Sequence, residues 1–432
     1  MNGSNGNAIV HPPVNNSAVE IPDMLNWPHV RLIRAGQHAS ATPAAELAPP
    51  NSGGSRPPTV GWSKPCPDDT VASCRSDFSN VCYFYGRNIH HLLQTKKGEG
   101  VPVGLIGTYW GGTADELWSS PDALRKCLDP ATGPTGEDGQ LWNGMIVPLL
   151  NTTIKGAVWY QGEADSGHPG GKYDAYNCTF PAMIADWRKK WSEGTKGQTA
   201  DDFPFGFVQL NSVGNASVYD SPADDAVNGA LSPHSGYAGL RWSQTASYGT
   251  APNPSQPNVF MAVSLDTPDR PSPFHAPNGN FDKGFNVHSP FKQPVAARLA
   301  RAGLSLVYGI DVDTTGPVAT SVVQTSTRAL VHVSNVGSAG GLRAPKAGVR
   351  GFEVLVAGRW MDVSVVGHTN NTLSLALDGA AINGTKMRYN WYSNPCGTGC
   401  FDCAAYVDVA PLGGLSGMEA FLPLAPFYLD IM

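Results

Sequence analysis

Strand-like apolar runs alternate with helix-like segments along the sequence from Val30 to Tyr308. Helix-like segments show apolar residues at a spacing of three or four, and the strand-like runs are short and rich in Val, Ile, Leu and Phe. Such alternation predicts an α/β fold with a parallel sheet, because parallel strands need a crossover helix between them. The strand-like runs are 30–33, a run from Val103, 156–160, 205–210 and 259–265, and the helix-like segments are 77–94, 176–191 and 290–308.

The pattern changes after Tyr308 to short β-branched runs separated by Gly, Asn and Asp. This pattern is typical of a small β-sandwich. We therefore predict two domains, 1–309 and 310–432, which a chain of 432 residues is long enough to form. The Pro-, Ser- and Gly-rich segment 40–67 is predicted to be a loop beside the cleft of the first domain.

Two strand-like runs end in small and polar residues. The first leads into Gly111 and Gly112, where the missing side chains let a backbone approach a ligand, and Thr113 is expected to cap a helix that begins at Ala114. The second leads into Gln161, Gly162 and Glu163, which supply an amide donor, a turn and a carboxylate. Because the carboxyl ends of parallel strands share one edge of a sheet, we expect both groups in one cleft.

His288 stands just before the helix-like segment 290–308 and follows the last strand-like run and a long loop. An imidazole at this position can reach the sheet edge, and its pKa near neutrality suits a general base. We therefore predict a catalytic role for His288. His168, His234 and His275 lack this context and are expected to be solvated or structural.

Composition excludes several classes of function. The net charge of −6 and the absence of a Lys/Arg run argue against a nucleic-acid partner. The sequence contains no apolar stretch of the roughly 20 residues needed to span a bilayer, and residues 1–16 do not resemble a signal peptide. Eight cysteines and seven N-x-S/T sequons favour an oxidising compartment, and the cluster Cys396, Cys400 and Cys403 is expected to form disulfides rather than bind zinc, because a fourth ligand is missing.

Several collinear blocks stand between about Pro28 and Gly309. They are PVGLIGTYWGGTADELWSS, LWNGMIVPLLNTTIKGAVWYQGEAD, YNCTFPAMIADWR, FPFGFVQL, RWSQTA, FMAVSLD and VHSPFKQPVAARL, and WYSNPCGTGC follows near the C-terminus. In their order and spacing these blocks resemble the sialate O-acetylesterases of the SGNH-hydrolase superfamily. The resemblance implies a flavodoxin-like parallel sheet with helices on both faces and a serine esterase that removes O-acetyl groups from sugars such as sialic acid. It implies no metal and no cofactor.

The resemblance also implies roles for individual residues. Gly111 or Gly112 would supply a backbone N–H to an oxyanion hole, Gln161 a side-chain donor, and His288 the base. Fixed donors at the developing oxyanion contribute several kcal/mol to acyl transfer. Substrate contacts are expected from the side chains of Trp110, Tyr160 and Glu163, for which the competing interpretations are core packing for the two aromatic residues and helix capping for Glu163.

The sequence can be aligned in two ways with the family motif that carries the nucleophile. The family carries it in a Gly-Gln-Ser-Asn-Met segment after the first strand of the sheet. Either Gly3-Ser4-Asn5 is a degenerate form with Ser4 as nucleophile, or Met1 is the last residue of the motif and the serine lies upstream. Ser4 lacks a preceding strand to hold it. We expect that the sequence is truncated at its start. This would also explain why a protein expected to be secreted, or to lie in the lysosomal or endomembrane lumen, shows no signal peptide.

The acid partner of His288 is also open. Many relatives carry Asp two or three residues before this histidine, where this sequence has Phe285, Asn286 and Val287. Asp266 is the best placed candidate because it ends a strand-like run, and Asp269 and Asp282 are the others.

The substrate is expected to be an O-acetylated sugar or sialoglycan. Two other functions are compatible with the same residues. One is a non-catalytic glycan-binding protein that retains the cleft, and the other is an acetylesterase of plant or microbial polysaccharide.

Overall fold

The structure is a computed structural model of the chain. It describes residues 14–49, 59–67, 74–75, 78–98, 100–128, 137–166, 175–212, 236–268, 289–344, 351–396, 401, 403–411 and 420–432.

The first group of strands forms a four-stranded sheet in the order β3-β2-β1-β4. Strand β4 is parallel to β1, whereas β2 is antiparallel to β1. Strand β2 lies inside the segment predicted as a loop, so that prediction is wrong for its last part. The Pro and Ser residues of this segment favour a loop prediction, whereas the strand forms because it pairs with β1, which is distant in sequence. The strands are β1 Val30–Arg34, β2 Val60–Pro65, β3 Cys74–Arg75 and β4 Val103–Gly107.

The second group is a fully parallel three-stranded sheet in the order β5-β6-β7. Every residue of β6 and β7 is buried, as expected for parallel strands covered on both faces. The prediction of a parallel α/β fold is confirmed. The strands are β5 Ala157–Trp159, β6 Phe205–Gln209 and β7 Val259–Val263.

Helices cover both faces of these strands. Phe205 and Phe207 of β6 belong to one apolar cluster, whereas Val208 belongs to another, because successive side chains of a strand point to opposite faces. The α5 helix and the short α3 and α4 pack on the first face, and α2 and α7 pack against each other on the second. The helices are α1 Ser17–Asp23, α2 Asn80–Lys97, α3 Asp115–Trp118, α4 Pro121–Leu124, α5 Tyr176–Gly194, α6 Gly236–Ser243 and α7 Lys292–Tyr308.

Residues after Tyr308 form antiparallel sheets in the orders β13-β14-β9-β8 and β12-β11-β15-β18. Both contribute to one apolar core that contains Val331, Val354 and Met387. A third sheet has the order β10-β16-β17. The strands are β8 Val318–Gln324, β9 Arg328–Ser334, β10 Leu342–Arg343, β11 Phe352–Val356, β12 Arg359–Val363, β13 Val365–His368, β14 Thr372–Ala376, β15 Lys386–Tyr389, β16 Tyr406–Asp408, β17 Phe421–Pro423 and β18 Phe427–Asp430.

Arg241 of α6 joins this later part of the chain to the α/β part. Its fully buried guanidinium donates hydrogen bonds to the carbonyl oxygens of Leu210 and Asn211, which follow β6, at 2.7 and 2.8 Å. It also donates to the carbonyl oxygens of Tyr392 and Ser393 at 2.7 and 3.0 Å. One side chain therefore satisfies backbone groups from two distant segments.

Two disulfides lie in the described part of the chain, Cys127–Cys178 and Cys396–Cys403. The second confirms the prediction of disulfides over zinc for the C-terminal cysteines that the structure describes. Cys66 is also disulfide-bonded, whereas Cys82 is a free thiol whose pKa is raised to about 12 by burial. Among the described residues, no helix has the length and apolarity required to cross a membrane.

Candidate active site

The end of β4 turns sharply at two exposed glycines. Gly112 has a φ of 75°, in the left-handed region that glycine adopts without strain. The hydroxyl of Thr113 donates to the carbonyl oxygen of Trp110 at 2.6 Å and accepts from the indole N–H of Trp118 at 3.0 Å, which closes the turn. These contacts hold Gly111 and Gly112 at the surface of a cleft.

Thr113 does not cap the following helix, so that prediction is wrong. The helix begins at Asp115, its N-cap is Ala114, and no side chain of the N-cap residue bonds to it. The N–H of Asp115 instead donates to the carboxylate of Asp165 at 3.3 Å. The Thr113 hydroxyl is unavailable as a cap because it closes the preceding turn.

Gln161, after the end of β5, is hydrogen-bonded to the turn at Gly111–Thr113, here called the glycine turn. Its amide N–H groups donate to the carbonyl oxygen of Thr113 at 3.1 Å and to the carboxylate of Asp165, and its amide oxygen accepts from the hydroxyl of Tyr176 at 2.9 Å. The structure therefore brings together the ends of β4 and β5. Both donors of this amide are directed to protein acceptors, and its role in an oxyanion hole stays a prediction.

Gly162 is required by the close packing behind Gln161. Its φ is 138°, and a Cβ atom there would lie 2.6 Å from Cδ2 of Leu240. The amide of Gln244 donates to the carbonyl oxygen of Gln161 at 3.2 Å and to that of Val208 in β6 at 3.1 Å. The ends of β5 and β6 are thus fixed to each other on one side of the cleft.

Three buried carboxyl groups lie beneath the glycine turn. Oxygen atoms of Asp115, Glu116 and Asp165 lie within 4.8 Å of one another, and the three residues are at most 4% exposed. The hydroxyl of Thr179 donates to Asp115 at 2.7 Å. Burial, followed by the neighbouring negative charges, raises the pKa of Asp115 and of Asp165 well above the usual range.

Among the described residues, these three carboxyl groups form the cluster in which possible ligand atoms lie close enough together to hold a metal ion. Calcium takes six to eight oxygen ligands, and magnesium usually keeps several waters. Three buried carboxyl groups supply fewer ligands than either ion requires. We interpret the cluster as a structural group in which Asp115 and Asp165, with their raised pKa values, hold protons more readily than exposed carboxyls, and in which Asp165 positions Gln161.

The first turn of α7 reaches the end of β5. The ammonium of Lys292 lies 5.2 Å from the ring centroid of Tyr160, and Lys292 is 1% exposed. Burial raises the pKa of Glu163, and the positive charge of Lys292 opposes that rise. The Tyr160 hydroxyl donates to the amide oxygen of Asn211 at 3.3 Å. Tyr160 and Glu163 therefore face the start of α7, four residues beyond His288.

Asp266 follows β7 and is fully buried in an ion pair. Its two carboxylate oxygens accept from the guanidinium of Arg298 at 2.6 and 2.8 Å, and Arg298 also donates to the carbonyl oxygen of Val263 at 2.7 Å. This pair fixes α7 to the end of β7. The role of Asp266 as acid partner stays a prediction, because both oxygens already bond to Arg298. His288, Ser4, Asp269 and Asp282 lie outside the described residues.

One cavity of about 1380 Å³ connects the predicted site residues. The six that the structure describes apart from Asp266 all line this cavity. They are Trp110, Gly111, Gly112, Tyr160, Gln161 and Glu163.

Comparison with known proteins gives the family. The chain is 35% identical over 349 residues to sialate O-acetylesterases from Pongo abelii and Homo sapiens, and these matches cover 78% of this chain. The mouse sialate O-acetylesterase is 31% identical over 416 residues, a match that covers 86% of this chain and 67% of the mouse protein. The chain belongs to the sialate O-acetylesterase family.

The match covers 60% of the orangutan and human sialate O-acetylesterases, so the chain spans somewhat more than half of their length. No family model matches the chain. Among solved structures, a carbohydrate acetylesterase from Xanthomonas citri superposes with a TM-score of 0.67 at 23% identity, over 96% of this chain and 76% of that one. This likeness supports the fold.

Sequence reasoning missed the residues that support the candidate site. Tyr176, Asp165 and Gln244 hold Gln161, and Lys292 faces Tyr160. Asp165 stands four residues after Gln161, a spacing that was visible in the sequence. The others are distant in sequence and gave no local signal.

Proposed function

We propose that this member of the sialate O-acetylesterase family hydrolyses acetyl esters on sugars. The observation that carries the proposal is that the glycine turn, Tyr160 and Gln161 line one cavity, while Lys292 in the first turn of α7 lies against Tyr160. Relatives named sialate O-acetylesterase support an O-acetylated sialic acid or sialoglycan as substrate. This grouping suits an SGNH-type arrangement, in which reactive groups lie at the carboxyl edge of a parallel sheet.

In the proposed reaction, a serine oxygen attacks the carbonyl carbon of the acetyl group while His288 accepts the hydroxyl proton. Negative charge then develops on the carbonyl oxygen, and a backbone N–H of Gly111 or Gly112 stabilises it. His288 returns the proton to the departing sugar oxygen, which leaves an acetyl-serine for water to hydrolyse. The serine is Ser4 or a residue upstream of Met1, as the two alignments allow.

Gln161 has two parts in this proposal. In the described structure its amide links the glycine turn to the end of β5, which keeps the two sides of the cleft in register. When an oxyanion forms, one N–H of the same amide would turn to it and leave Asp165 or Thr113. Because the pKa of Asp165 is raised, a proton on this carboxyl would reduce its demand for the amide donor.

The acid partner of His288 is proposed to be Asp266, Asp269 or Asp282. Asp266 would act from within its ion pair with Arg298. Trp110, Tyr160 and Glu163 would contact the sugar, the aromatic rings by stacking and the carboxylate by accepting bonds from hydroxyl groups. All three line the cavity beside the proposed oxyanion position.

We also propose a finer division of the chain. Residues 1–309 would form the SGNH-hydrolase-like esterase domain, and residues 310–432 a small β-sandwich that packs against it. The two antiparallel four-stranded sheets with one shared core support this division. Disulfides at Cys127–Cys178 and Cys396–Cys403 support a secreted protein or one of the endomembrane lumen.

The experiment is acetate release from O-acetylated sialic acid and from a chromogenic acetate ester, using protein expressed with its native upstream sequence. His288→Ala should lower kcat/KM by at least roughly 100-fold, because it removes the group that transfers the proton. His368→Ala, at an exposed position in β13, is the matched control and should leave the rate unchanged. Equal rates for wild type and His288→Ala in folded protein would refute the proposed mechanism.

A glycan-binding protein without turnover is the second candidate. The observation that favours it is the full use of the Gln161 donors and the Asp266 oxygens by other protein groups. This candidate requires binding of an acetylated sialoside with no acetate release. Release of acetate by the folded protein would exclude it.

A further inference from the structure

A segment from the C-terminal part of the chain returns to the carboxyl edge of the parallel sheet. Residues 391–396, here called the return segment, follow β15 of an antiparallel sheet. Ser393 of this segment nevertheless lines the cavity, together with Gln161 after the end of β5. The sulfur of Cys396 lies 3.2 Å from the carbonyl oxygen of Leu265, which follows β7. The return segment therefore forms part of the wall of the candidate active site.

Arg241 sets the position of Ser393 relative to the strand ends. Its Nη2 atom donates to the carbonyl oxygen of Asn211, after β6, at 2.8 Å and to the carbonyl oxygen of Ser393 at 3.0 Å. The side-chain oxygen of Asn211 accepts from the hydroxyl of Tyr160 at 3.3 Å. Because one nitrogen atom bonds to both carbonyl oxygens, Ser393 lies beside the residue that holds Tyr160.

The two residues before Ser393 are fixed by their side chains. Trp391 is buried against α6, with its ring centroid 5.7 Å from that of Trp242. The hydroxyl of Tyr392 donates to the carboxylate of Asp362 at 2.8 Å. Such packing and hydrogen bonding hold a neighbouring side chain in a defined place, as a binding site requires. Ser393 therefore stands on a backbone that is held at the cavity.

The protein uses the backbone of Ser393 but not its hydroxyl. The carbonyl oxygen accepts from Arg241, whereas no group in the described part of the chain bonds to the Ser393 hydroxyl. The residue is half-buried and lines the cavity. A serine hydroxyl offers one donor and two acceptor positions. These positions are open to a ligand in the cavity.

Tyr237, in the first turn of α6, brings a second hydroxyl to this part of the cavity. It stands four residues before Arg241, so the two side chains lie on the same face of the helix, one turn apart. Burial raises the pKa of Tyr237 to about 12, the charge of Glu163 adds to this rise, and a hydrogen bond with Ser166 opposes it. The Tyr237 hydroxyl therefore keeps its proton at neutral pH. Tyr237, Glu163 and Ser166 all line the cavity.

This group of side chains has the chemistry of a sugar-binding surface. The hydroxyls of Ser393, Tyr237 and Ser166 can donate and accept, and the carboxyl of Glu163 adds acceptor oxygens. Neighbouring hydroxyl groups of a sugar need both donors and acceptors. A surface of this kind suits a polyol better than it suits a hydrocarbon chain, which offers no hydrogen bonds.

We propose that Ser393 and Tyr237 determine specificity for the sugar by hydrogen bonding to its hydroxyl groups. The inference rests on the proposed function, in which the acetyl group lies at the glycine turn and Gln161. The sugar then extends along Glu163 towards α6 and the return segment. A site built to pair with substrate hydroxyls discriminates against a substrate that lacks them, because its own polar groups are left unpaired.

Steady-state kinetics of Ser393→Ala and Tyr237→Phe test this inference, on the same protein as the test of the proposed function. With O-acetylated sialic acid, each variant should raise KM by about 3–10-fold with little change in kcat, because each loses one hydrogen bond to the bound sugar. With a chromogenic acetate ester that carries no sugar, kcat/KM of both variants should equal that of the wild type. Ser364→Ala and Tyr248→Phe, at exposed positions, are the matched controls and should behave as the wild type with both substrates.

Ser393→Thr keeps a hydroxyl and should restore most of the affinity that Ser393→Ala loses. The inference is overturned if KM for the sugar substrate stays unchanged in both variants. Equal losses on the two esters overturn it as well, since they show a role in folding or in the chemical step. If the wild type hydrolyses neither ester, the proposed function fails, and calorimetric binding of the O-acetylated sialic acid decides the inference. A 3–10-fold weaker affinity of Ser393→Ala then supports it, whereas equal affinities or no binding by the wild type overturn it.

Discussion

Replacing Asp115 by Asn should stabilise the folded chain at neutral and alkaline pH and change its stability little at acidic pH. Asp115 is 1% exposed and has Asp165 and Glu116 carboxyl oxygens within 4.8 Å. Two unit charges at 4.8 Å repel by about 3.5 kcal/mol at an effective dielectric constant of 20. Asparagine keeps an oxygen that can accept from Thr179 and removes one charge from the cluster.

The direction of this pH-dependent change in stability follows from the raised pKa values of Asp115 and Asp165. In the folded state these carboxyls hold protons at a pH at which the unfolded chain has released them. The free energy of unfolding therefore falls as pH rises from the usual carboxyl pKa towards the raised one. Because protonation already relieves part of the repulsion, we expect Asp115→Asn to gain about 1–3 kcal/mol at pH 8, less than one full pair energy.

Urea denaturation between pH 4.5 and pH 8 measures this effect. The free energy of unfolding of Asp115→Asn should depend less steeply on pH than that of the wild type. Asp378→Asn is the control, since Asp378 is exposed and lies outside the cluster. A variant that is destabilised equally at every pH, or that keeps the wild-type slope, would refute this account of the carboxyl cluster.

Two further predictions concern stability. Gly162→Ala should lower the free energy of unfolding by about 2–4 kcal/mol, because it combines a strained φ with a contact of 2.6 Å to Leu240. Thermal denaturation measures this loss. The control is Gly197→Ala, where φ is also positive but no atom lies within 4 Å of the added Cβ, so the comparison separates the steric clash from the backbone strain. Equal losses would contradict the packing argument. Replacing Cys127 and Cys178 together by Ser should lower the free energy of unfolding by about 4 kcal/mol, because the disulfide joins residues 51 positions apart and so restricts the unfolded chain. Urea denaturation measures this loss. An unchanged midpoint would show that the disulfide does not restrict the unfolded chain.

Hydrophobic patterning predicted most strands and the long helices of the α/β part of the fold. The runs at 205–210 and 259–265 gave strands because buried parallel strands are continuously apolar, and the segment 290–308 gave α7 because its apolar residues repeat at helical spacing. Strand β2 escaped prediction because its pairing partner lies about 30 residues away. Side-chain periodicity carries no information on such a partner.

The site was predicted in its backbone elements more than in its contacts. The glycine turn and Gln161 were expected in one cleft, and the hydrogen bond from Gln161 to Thr113 joins them. The engagement of Asp266 by Arg298 was not visible, because it depends on how α7 lies against β7. The burial of Asp115 among like charges was not visible either, because the sequence shows only that it stands near a helix start.

The guanidinium of Arg241 has a consequence for how the molecule loses its structure. Separating residues 392–393 from the end of β6 would remove two of the carbonyl oxygens that accept hydrogen bonds from this fully buried cation. Leaving a buried charge poorly bonded costs several kcal/mol, so neither segment gains by detaching first. The α/β part and the segment around Tyr392 should therefore melt in one cooperative transition, and a fragment cut before that segment should be prone to aggregation.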